Sequence, residues 1–529
     1  MIASLASIVM QVNPGPTAGG SGGSTDTSTA LIHPHIEYSA LLPQLIMIGG
    51  ALLVLLIASM LRRRPRPGIY AVLTVLTGLA SGGAAIWQWN HFDLAHGGLS
   101  VADGAHQAVV NAIAVDGFSV FVIVIIASAV VIGALIFDAY LLRERLDGPE
   151  FFVLAMLSAS GGMFMAAAND LLVLFLGLEI LSIALYIMAG YHRRRAESGE
   201  AAMKYFVLGA FSSALFLYGI ALVYGATGST NLVEIADFLA KNVITGNGIL
   251  MAGMALLLVG LGFKVAAVPF HAWTPDVYQG SPTPATGFMA ATAKAAGFAG
   301  LLRIFVSTFS TLRLEWKPVV WVIAVLTLLV GSILALLQDD IKRMLAYSSI
   351  SHAGYVLIGL QAGSDRGVAG ALFYLLAYTF MVLGSFAIVT VVGRRGDADH
   401  QISAYRGLAT RRPLLAFAFT VFLLAQAGVP FTTGLWAKFY VIAAAVESHS
   451  YALAIIGMLA AAISAFFYLR VVVTMYMAGD DDEAAGPARL LRVPVGVTAA
   501  LVLTGLFTIG FGLVPDPIFH FATKATLLF

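Results

Sequence analysis

From about Ala40 onward the chain alternates between long apolar runs and short polar connections. The runs occupy residues 40–61, 68–88, 118–141, 150–168, 170–190, 199–226, 247–277, 283–308, 318–338, 341–362, 367–393, 413–445, 449–478 and 493–514. About 20 consecutive apolar residues cross a bilayer as a helix, so the pattern predicts about 14 transmembrane helices. The runs are continuous, not alternating ten-residue segments, which points to helices and away from a β-barrel. Two connections, at Asn169–Asp170 and around Gln338–Lys342, are so tight that each flanking pair reads either as two helices or as one bent helix. Ahead of the runs, Met1–Val12 lacks the basic start of a signal peptide, and residues 13–30 are rich in Gly, Pro, Ser and Thr. Residues 1–39 therefore read as a flexible polar leader, 40–141 as three N-terminal helices and 493–514 as a C-terminal one.

Composition strengthens this reading. Hydrophobic residues make up 59% of the 529 positions and charged residues only 11%, against roughly 25% charged in an ordinary soluble protein. There is too little polar surface to cover a water-soluble core, which excludes a soluble enzyme and a disordered scaffold. A net charge of +1 offers no bulk attraction to nucleic acid. With no cysteine, disulfides, thiolate-held clusters and cysteine zinc sites are excluded. No metal-ligand cluster, phosphate-binding glycine loop or nucleophile–base pair is present, and Asp480–Glu483 reads as a solvated loop.

Basic residues set an expected orientation. Loops of one parity hold Arg62–Arg64 and Arg66, Arg143 and Arg145, Arg193–Arg195, Lys342 and Arg343, Arg394, Arg395, Arg406, Arg411 and Arg412, and Arg489 and Arg492. Loops of the other parity hold only Lys241, Arg313, Lys317, Arg366 and Lys524. The positive-inside rule then places both termini on the outer side of the membrane.

Six basic residues lie more than one turn inside the runs instead: Lys204, Lys264, Lys294, Arg303, Lys438 and Arg470. Glu179 lies near the middle of its own run. A charge at the bilayer centre costs at least ~2.5–3.5 kcal/mol, so such residues are functional candidates by default. Glu179 is ~13 Å from either interface at 1.5 Å per residue, beyond the reach of its short side chain. Lys204, four residues after Glu200, is open to two readings: a surface pair with Glu200, or a partner for Glu179. Lys264 follows Gly260 and Gly262, and Pro269 clashes with the carbonyl of Val265, so the helix should break beside the lysine. Lys294 is surrounded by small residues in the middle of the next run. Lys438 follows a second interruption at Gly428, Pro430 and Gly434, and Val-Pro-Phe occurs in both, at 268–270 and 429–431. Paired Gly/Pro-interrupted spans are a mark of repeats built around transport sites. Between them Ser348, Ser349 and His352 share a helical face, and His relays protons through either nitrogen. Arg303 and Arg470 lie late in their runs, where snorkelling or packing suffices.

A buried ammonium keeps its charge only where a partner compensates for lost hydration. Moving Glu179 relative to a lysine would therefore switch that lysine between holding and releasing a proton. A relay through Lys264, Lys294, His352 and Lys438, joined by water, would carry H+ across the membrane.

At these residues the chain resembles a known family. Leu-Glu-Ile-Leu-Ser-Ile-Ala-Leu-Tyr (178–186), Met-Lys-Tyr-Phe (203–206) and Gly-Phe-Lys-Val-Ala-Ala-Val-Pro-Phe-His-Ala-Trp-Thr-Pro-Asp-Val-Tyr-Gln-Gly-Ser-Pro-Thr-Pro (262–284) are similar to the antiporter-like subunits of respiratory complex I. So are Asp-Ile-Lys-Arg-Met-Leu-Ala-Tyr-Ser-Ser-Ile-Ser-His-Ala-Gly-Tyr (340–355) and Gly-Leu-Trp-Ala-Lys-Phe-Tyr-Val (434–441). The wording at 273–280 resembles the subunit N branch, the counterpart of mitochondrial subunit 2.

The resemblance implies an all-α polytopic membrane protein with two inverted five-helix repeats, 150–308 and 318–478, and discontinuous helices in the seventh and twelfth spans. It implies Glu179 facing Lys204, central lysines Lys264 and Lys294, and a terminal site at Lys438. Subunit M carries a glutamate there, and subunit L a long lateral helix after its core; the lysine and the short C-terminal end of this chain fit N. The implied activity is proton translocation within an NADH:quinone oxidoreductase, with no redox site in this chain. NADH, FMN, iron–sulfur clusters and quinone would belong to other subunits, and the partners would be subunit M, small membrane subunits such as K and J, and the lipid bilayer. The competing reading is a subunit of a related cation/proton antiporter or membrane-bound hydrogenase; a third is a spacer that no longer conducts.

Overall fold

A computed structural model describes residues 36–60, 68–94, 104–146, 148–242, 247–394, 396–397, 400–477, 493–525 and 527. The leader before Ile36, the arginines at 62–66, Arg395, Arg489 and Arg492, and the acidic run at 480–483 lie outside them. The helices are α1 (Leu42–Met60), α2 (Ile69–His91), α3 (Gly117–Glu144), α4 (Glu150–Ala167), α5 (Leu171–Ala189), α6 (Ala196–Thr227), α7 (Leu232–Lys241), α8 (Gly248–Lys264), α9 (Thr274–Gly280) and α10 (Thr283–Leu302). They continue with α11 (Arg313–Leu336), α12 (Ile341–Ala362), α13 (Asp365–Val392), α14 (Leu408–Arg411), α15 (Pro413–Ala427), α16 (Thr433–Glu447), α17 (Tyr451–Tyr476), α18 (Val495–Leu513) and α19 (Asp516–Lys524). A short antiparallel hairpin, β1 (His106–Ala108) and β2 (Ile113–Val115), pairs His106 with Val115 just before α3.

Each apolar run of the sequence lies on a helix or on two halves of one. Among the described residues, 11 helices are long and apolar enough to cross a membrane. The shorter apolar helices α8 and α15 are the first halves of the two interrupted runs. Helix α12 is long, but Ser348, Ser349, Ser351 and His352 dilute its hydropathy. The apolar windows of helices α10 and α13 are fully buried, which makes them the centre of the packing. By contrast α1, α2 and α18 turn large apolar side chains outward, as a lipid-facing periphery requires.

The two tight connections are true helix boundaries. Asp170 caps α5 by accepting from the Leu172 amide at 2.7 Å, and Asp340 caps α12 by accepting from Lys342 and Arg343 at 2.8 and 3.0 Å. A carboxylate that satisfies the orphan amides of a first turn starts a new helix instead of bending an old one.

Both interruptions are confirmed. Helix α8 stops at Lys264, and the chain runs irregularly to α9. The freed Val268 amide donates to Thr327 Oγ1 of α11 at 2.9 Å, and the Trp273 indole donates to the Phe263 carbonyl at 3.1 Å. Non-helical backbone at membrane depth is tolerated where protein groups re-satisfy it in this way. At the second interruption Gly428 turns with φ of 95°, a left-handed conformation that suits glycine. A Cβ on Gly434 would lie 1.7 Å from the Ala425 carbonyl oxygen, so only glycine lets α16 begin that close to the end of α15.

Candidate proton pathway

The row of buried basic groups begins beside Glu179 on α5. One oxygen of its carboxylate, Oε1, is buried without a hydrogen-bond partner, and its charge reaches Lys264 and Tyr186. The Lys264 amine donates to Ser182 Oγ at 2.8 Å and to Tyr205 OH at 3.3 Å. It lies over the rings of Tyr186 and Tyr205, 5.8 and 5.4 Å from their centroids. Gly297 of α10 leaves room for Val265, the residue after Lys264, since a Cβ there would lie 2.7 Å from Val265 Cγ1.

One turn earlier on α10, Lys294 donates to the Ser349 carbonyl of α12 and faces the Tyr378 ring at 5.4 Å. His352, one turn beyond Ser349, uses both ring nitrogens: Nδ1 meets Tyr374 OH at 2.6 Å and Nε2 meets Tyr468 OH at 3.1 Å. Lys438 donates to the Ala427 carbonyl at the end of α15, at 2.7 Å, and lies 4.9 Å from the Tyr355 ring centroid. All four basic groups are buried. Their contacts are hydroxyls, carbonyls and aromatic faces, groups that hold an ammonium without locking it as a carboxylate pair does.

Lys204 departs from the expected pairing with Glu179. Its amine reaches Glu200 and Asp276, each at 2.7 Å, and Arg343 donates to the same Asp276 at 2.7 Å. The reason is register: Glu200 is one turn before Lys204 on α6, and the break after α8 swings α9 back so that Asp276 meets that face. Glu200, Lys204 and Asp276 line a cleft of about 320 Å³ with Arg195, Gln279, Asp340, Asp397 and His400. Non-additivity should expose the true partner. With Lys204→Met already present, Asp276→Asn is expected to change proton movement through the chain little further, whereas Glu179→Gln retains its full effect, read from the complete set of single and double variants.

Of the two readings open for Arg303, packing holds and snorkelling does not: its guanidinium is buried and forms a forked pair with Asp116 at 2.8 and 3.0 Å, with a third bond to the Ala166 carbonyl at 2.8 Å. It sits in a π-helical extension of α10, Arg303–Thr308. The cause is the end of the neighbouring helix, because Asp116 caps α3 through Ser119 and leaves an anion buried beside it. Lys342, read as a loop charge, is fully buried and donates to the Ser281 carbonyl at 2.6 Å. Arg470 is nearer to expectation, half-exposed and bonded to carbonyls at the end of α11.

The sequence reading also missed a buried charge knot on the arginine-rich face. Asp397 meets Arg143 and Arg195 at 3.4 Å each, and Tyr140 OH at 3.1 Å. Burial alone would push its carboxyl up, but Lys342, Arg143 and Arg195 together hold it below the usual carboxylate range. Burial, reinforced by Lys342, pushes His400 down to about 3 despite the pull of Asp397, so His400 is neutral near pH 7. Among the described residues, no group of three or more His, Asp or Glu is arranged to hold a metal ion.

Comparison with known proteins matches this geometry. Residues 168–464 fit the family described as NADH:quinone oxidoreductase/Mrp antiporter, transmembrane. NADH-quinone oxidoreductase subunit N of Trichlorobacter lovleyi is 41% identical over 503 residues, covering 95% of this chain and 100% of that protein. The chain belongs to this family. A chain of respiratory complex I from Thermus thermophilus is 31% identical with a TM-score of 0.72, covering 90% of this chain and 98% of that one. A chain of an archaeal membrane-bound sulfane sulfur reductase is 27% identical with a TM-score of 0.79, covering 92% and 97%.

Proposed function

We propose that this chain is a proton-translocating membrane-arm subunit of an NADH:quinone oxidoreductase. The observation that carries the reading is the row Lys264, Lys294, His352 and Lys438, buried at the level of two helix breaks and held by neutral groups. In the proposed cycle, Glu179 biases Lys264 toward its charged form when the two approach, and separation releases the proton along α10 and α12 toward Lys438. Lys204, in the cleft with Asp276 and Glu200, exchanges protons with the arginine-rich side. Fourteen spans, arranged as inverted repeats at 150–308 and 318–478 and flanked by 40–141 and 493–514, would place the breaks in equivalent positions. The arginine-rich side is then cytoplasmic, with both termini outside the bacterial cytoplasmic membrane. NADH, FMN, iron–sulfur clusters and quinone are used by other subunits of the complex, and subunits M, K and J are the expected neighbours. Coupling reaches this chain as a change in conformation or field.

The likeness to the sulfane sulfur reductase chain favours a second reading, a related membrane complex with a different redox partner. Co-purification separates the two: a flavin- and iron–sulfur-bearing arm with NADH:quinone activity supports the first, and an arm without that activity supports the second. Within the first, Lys438→Met should slow NADH-driven proton uptake in vesicles by about 10²-fold per assembled complex. A wild-type rate with normal assembly would remove Lys438 from the path.

A further inference from the structure

We infer that Tyr468 takes a proton from His352 Nε2 at its hydroxyl oxygen and yields its own hydroxyl proton to an intervening water that passes it to Lys438, and that Gln426 is the positioning residue that gives this passage its direction. The inference rests on the proposed function above.

Gln426 occupies the last turn of α15, next to Ala427, whose carbonyl holds Lys438. Its amide nitrogen donates to Ser385 Oγ at 2.7 Å and to the Phe422 carbonyl at 3.4 Å. Those two acceptors assign the amide orientation and turn Oε1 toward Tyr468 OH at 3.4 Å and Ser348 Oγ at 3.5 Å. Tyr468 also contacts Ser348 Oγ and His352 Nε2. An amide oxygen only accepts, so a hydroxyl proton must point at it. When that proton is Tyr468's, its oxygen accepts from His352 Nε2–H, and Nδ1 then accepts from Tyr374 OH. A neutral imidazole offers one donor and one acceptor, so the whole line is polarised from Tyr374 through His352 and Tyr468 to the broken end of α15.

The alternative route is closed. Tyr355 lies under Lys438, but its hydroxyl donates to the Gly457 carbonyl at 2.8 Å, and its one proton is held there. Tyr468 has only side-chain partners, so its proton can move. The first break shows the same construction with a charge: Lys264, the last residue of α8, contacts one serine and one tyrosine hydroxyl, Ser182 and Tyr205. Gln426, beside the end of α15, likewise contacts Ser348 and Tyr468. At the second break the ionisable group has moved across to Lys438 on α16, and a neutral amide stands near the place of the lysine.

The experiment compares variants of the intact complex in proteoliposomes, with NADH-driven proton uptake measured per assembled complex in H2O and D2O. Tyr468→Phe keeps the ring and removes only the hydroxyl; it should slow uptake about tenfold and enlarge the solvent isotope effect. Gln426→Leu should slow uptake similarly, and Gln426→Glu, which keeps an acceptor oxygen in place, should regain roughly half of the wild-type rate. A packing role for Tyr468 would leave Tyr468→Phe at the wild-type rate and isotope effect, and that result overturns the inference. Equal loss in Gln426→Leu and Gln426→Glu overturns the directing role, and this pair decides if Tyr468→Phe fails to assemble. Slow uptake in Lys264→Met and Lys438→Met beside normal Tyr468→Phe and Gln426→Leu removes only this inference. Normal uptake in both lysine variants removes the proposed function itself.

Discussion

Lys264→Met is expected to leave the complex assembled and to lower NADH-driven proton uptake by about 10²-fold, the usual worth of a positioned proton carrier. Methionine matches the unbranched stem of lysine, so the buried space that the stem fills stays filled. What disappears is the amine on Ser182 and Tyr205, and with it the group on which Glu179 acts. A lysine present only to bind groups freed by the broken helix would behave otherwise. Its loss would lower the amount of assembled complex and leave uptake per complex unchanged. Assembly on native gels and uptake per complex, measured together, distinguish the two roles.

Arg303→Leu should have the largest effect on assembly. The pair with Asp116 is buried on both sides, and removing one partner strands the other charge, at a cost of about 3–5 kcal/mol. That is large against the ~5–15 kcal/mol of a typical folded domain, so the amount of complex in the membrane should fall several-fold. Asp116 also caps α3 through Ser119, and asparagine caps as well as aspartate. The double variant Asp116→Asn with Arg303→Leu therefore keeps the cap, removes both charges and should recover much of the complex lost in Arg303→Leu alone. Equal losses in the single and double variants would show that the guanidinium matters for its packing on Phe118 and its bond to Ala166, not for the pair.

The burial of Asp116 and Arg303 was beyond what the chain order could reveal, because 187 positions separate the partners. The same holds for Asp397, whose cations come from α3, from the approach to α6 and from α12. Lys342 illustrates the limit from the other side. At the tight connection between two predicted helices it reads as a loop cation, but Ser281, 61 positions away, offers a carbonyl that draws it inward. Lys204 could be read two ways from its own helix, and the path taken by the break after α8 brought Asp276, 72 positions on, to its amine. The tyrosines around His352 carried no signal at all, since an aromatic residue in an apolar run looks like core until its hydroxyl is seen to meet another polar group.

What could be read directly were the features whose physics is local. Proline removes an amide and blocks the turn behind it wherever it stands, so both helix breaks were visible as Pro269 and as Gly428 with Pro430. A charge within an apolar run is expensive in any membrane fold, so Lys264, Lys294 and Lys438 stood out before any neighbour was known. Asp at a tight connection is a local cap, which the chain also contains, although only the hydrogen bonds of Asp170 and Asp340 separated two helices from one bent helix. Where each buried group finds its partner is a property of helix packing. Hydropathy along the chain says which groups enter the membrane, and the crossing of α5, α8, α10, α12 and α15 says which of them meet.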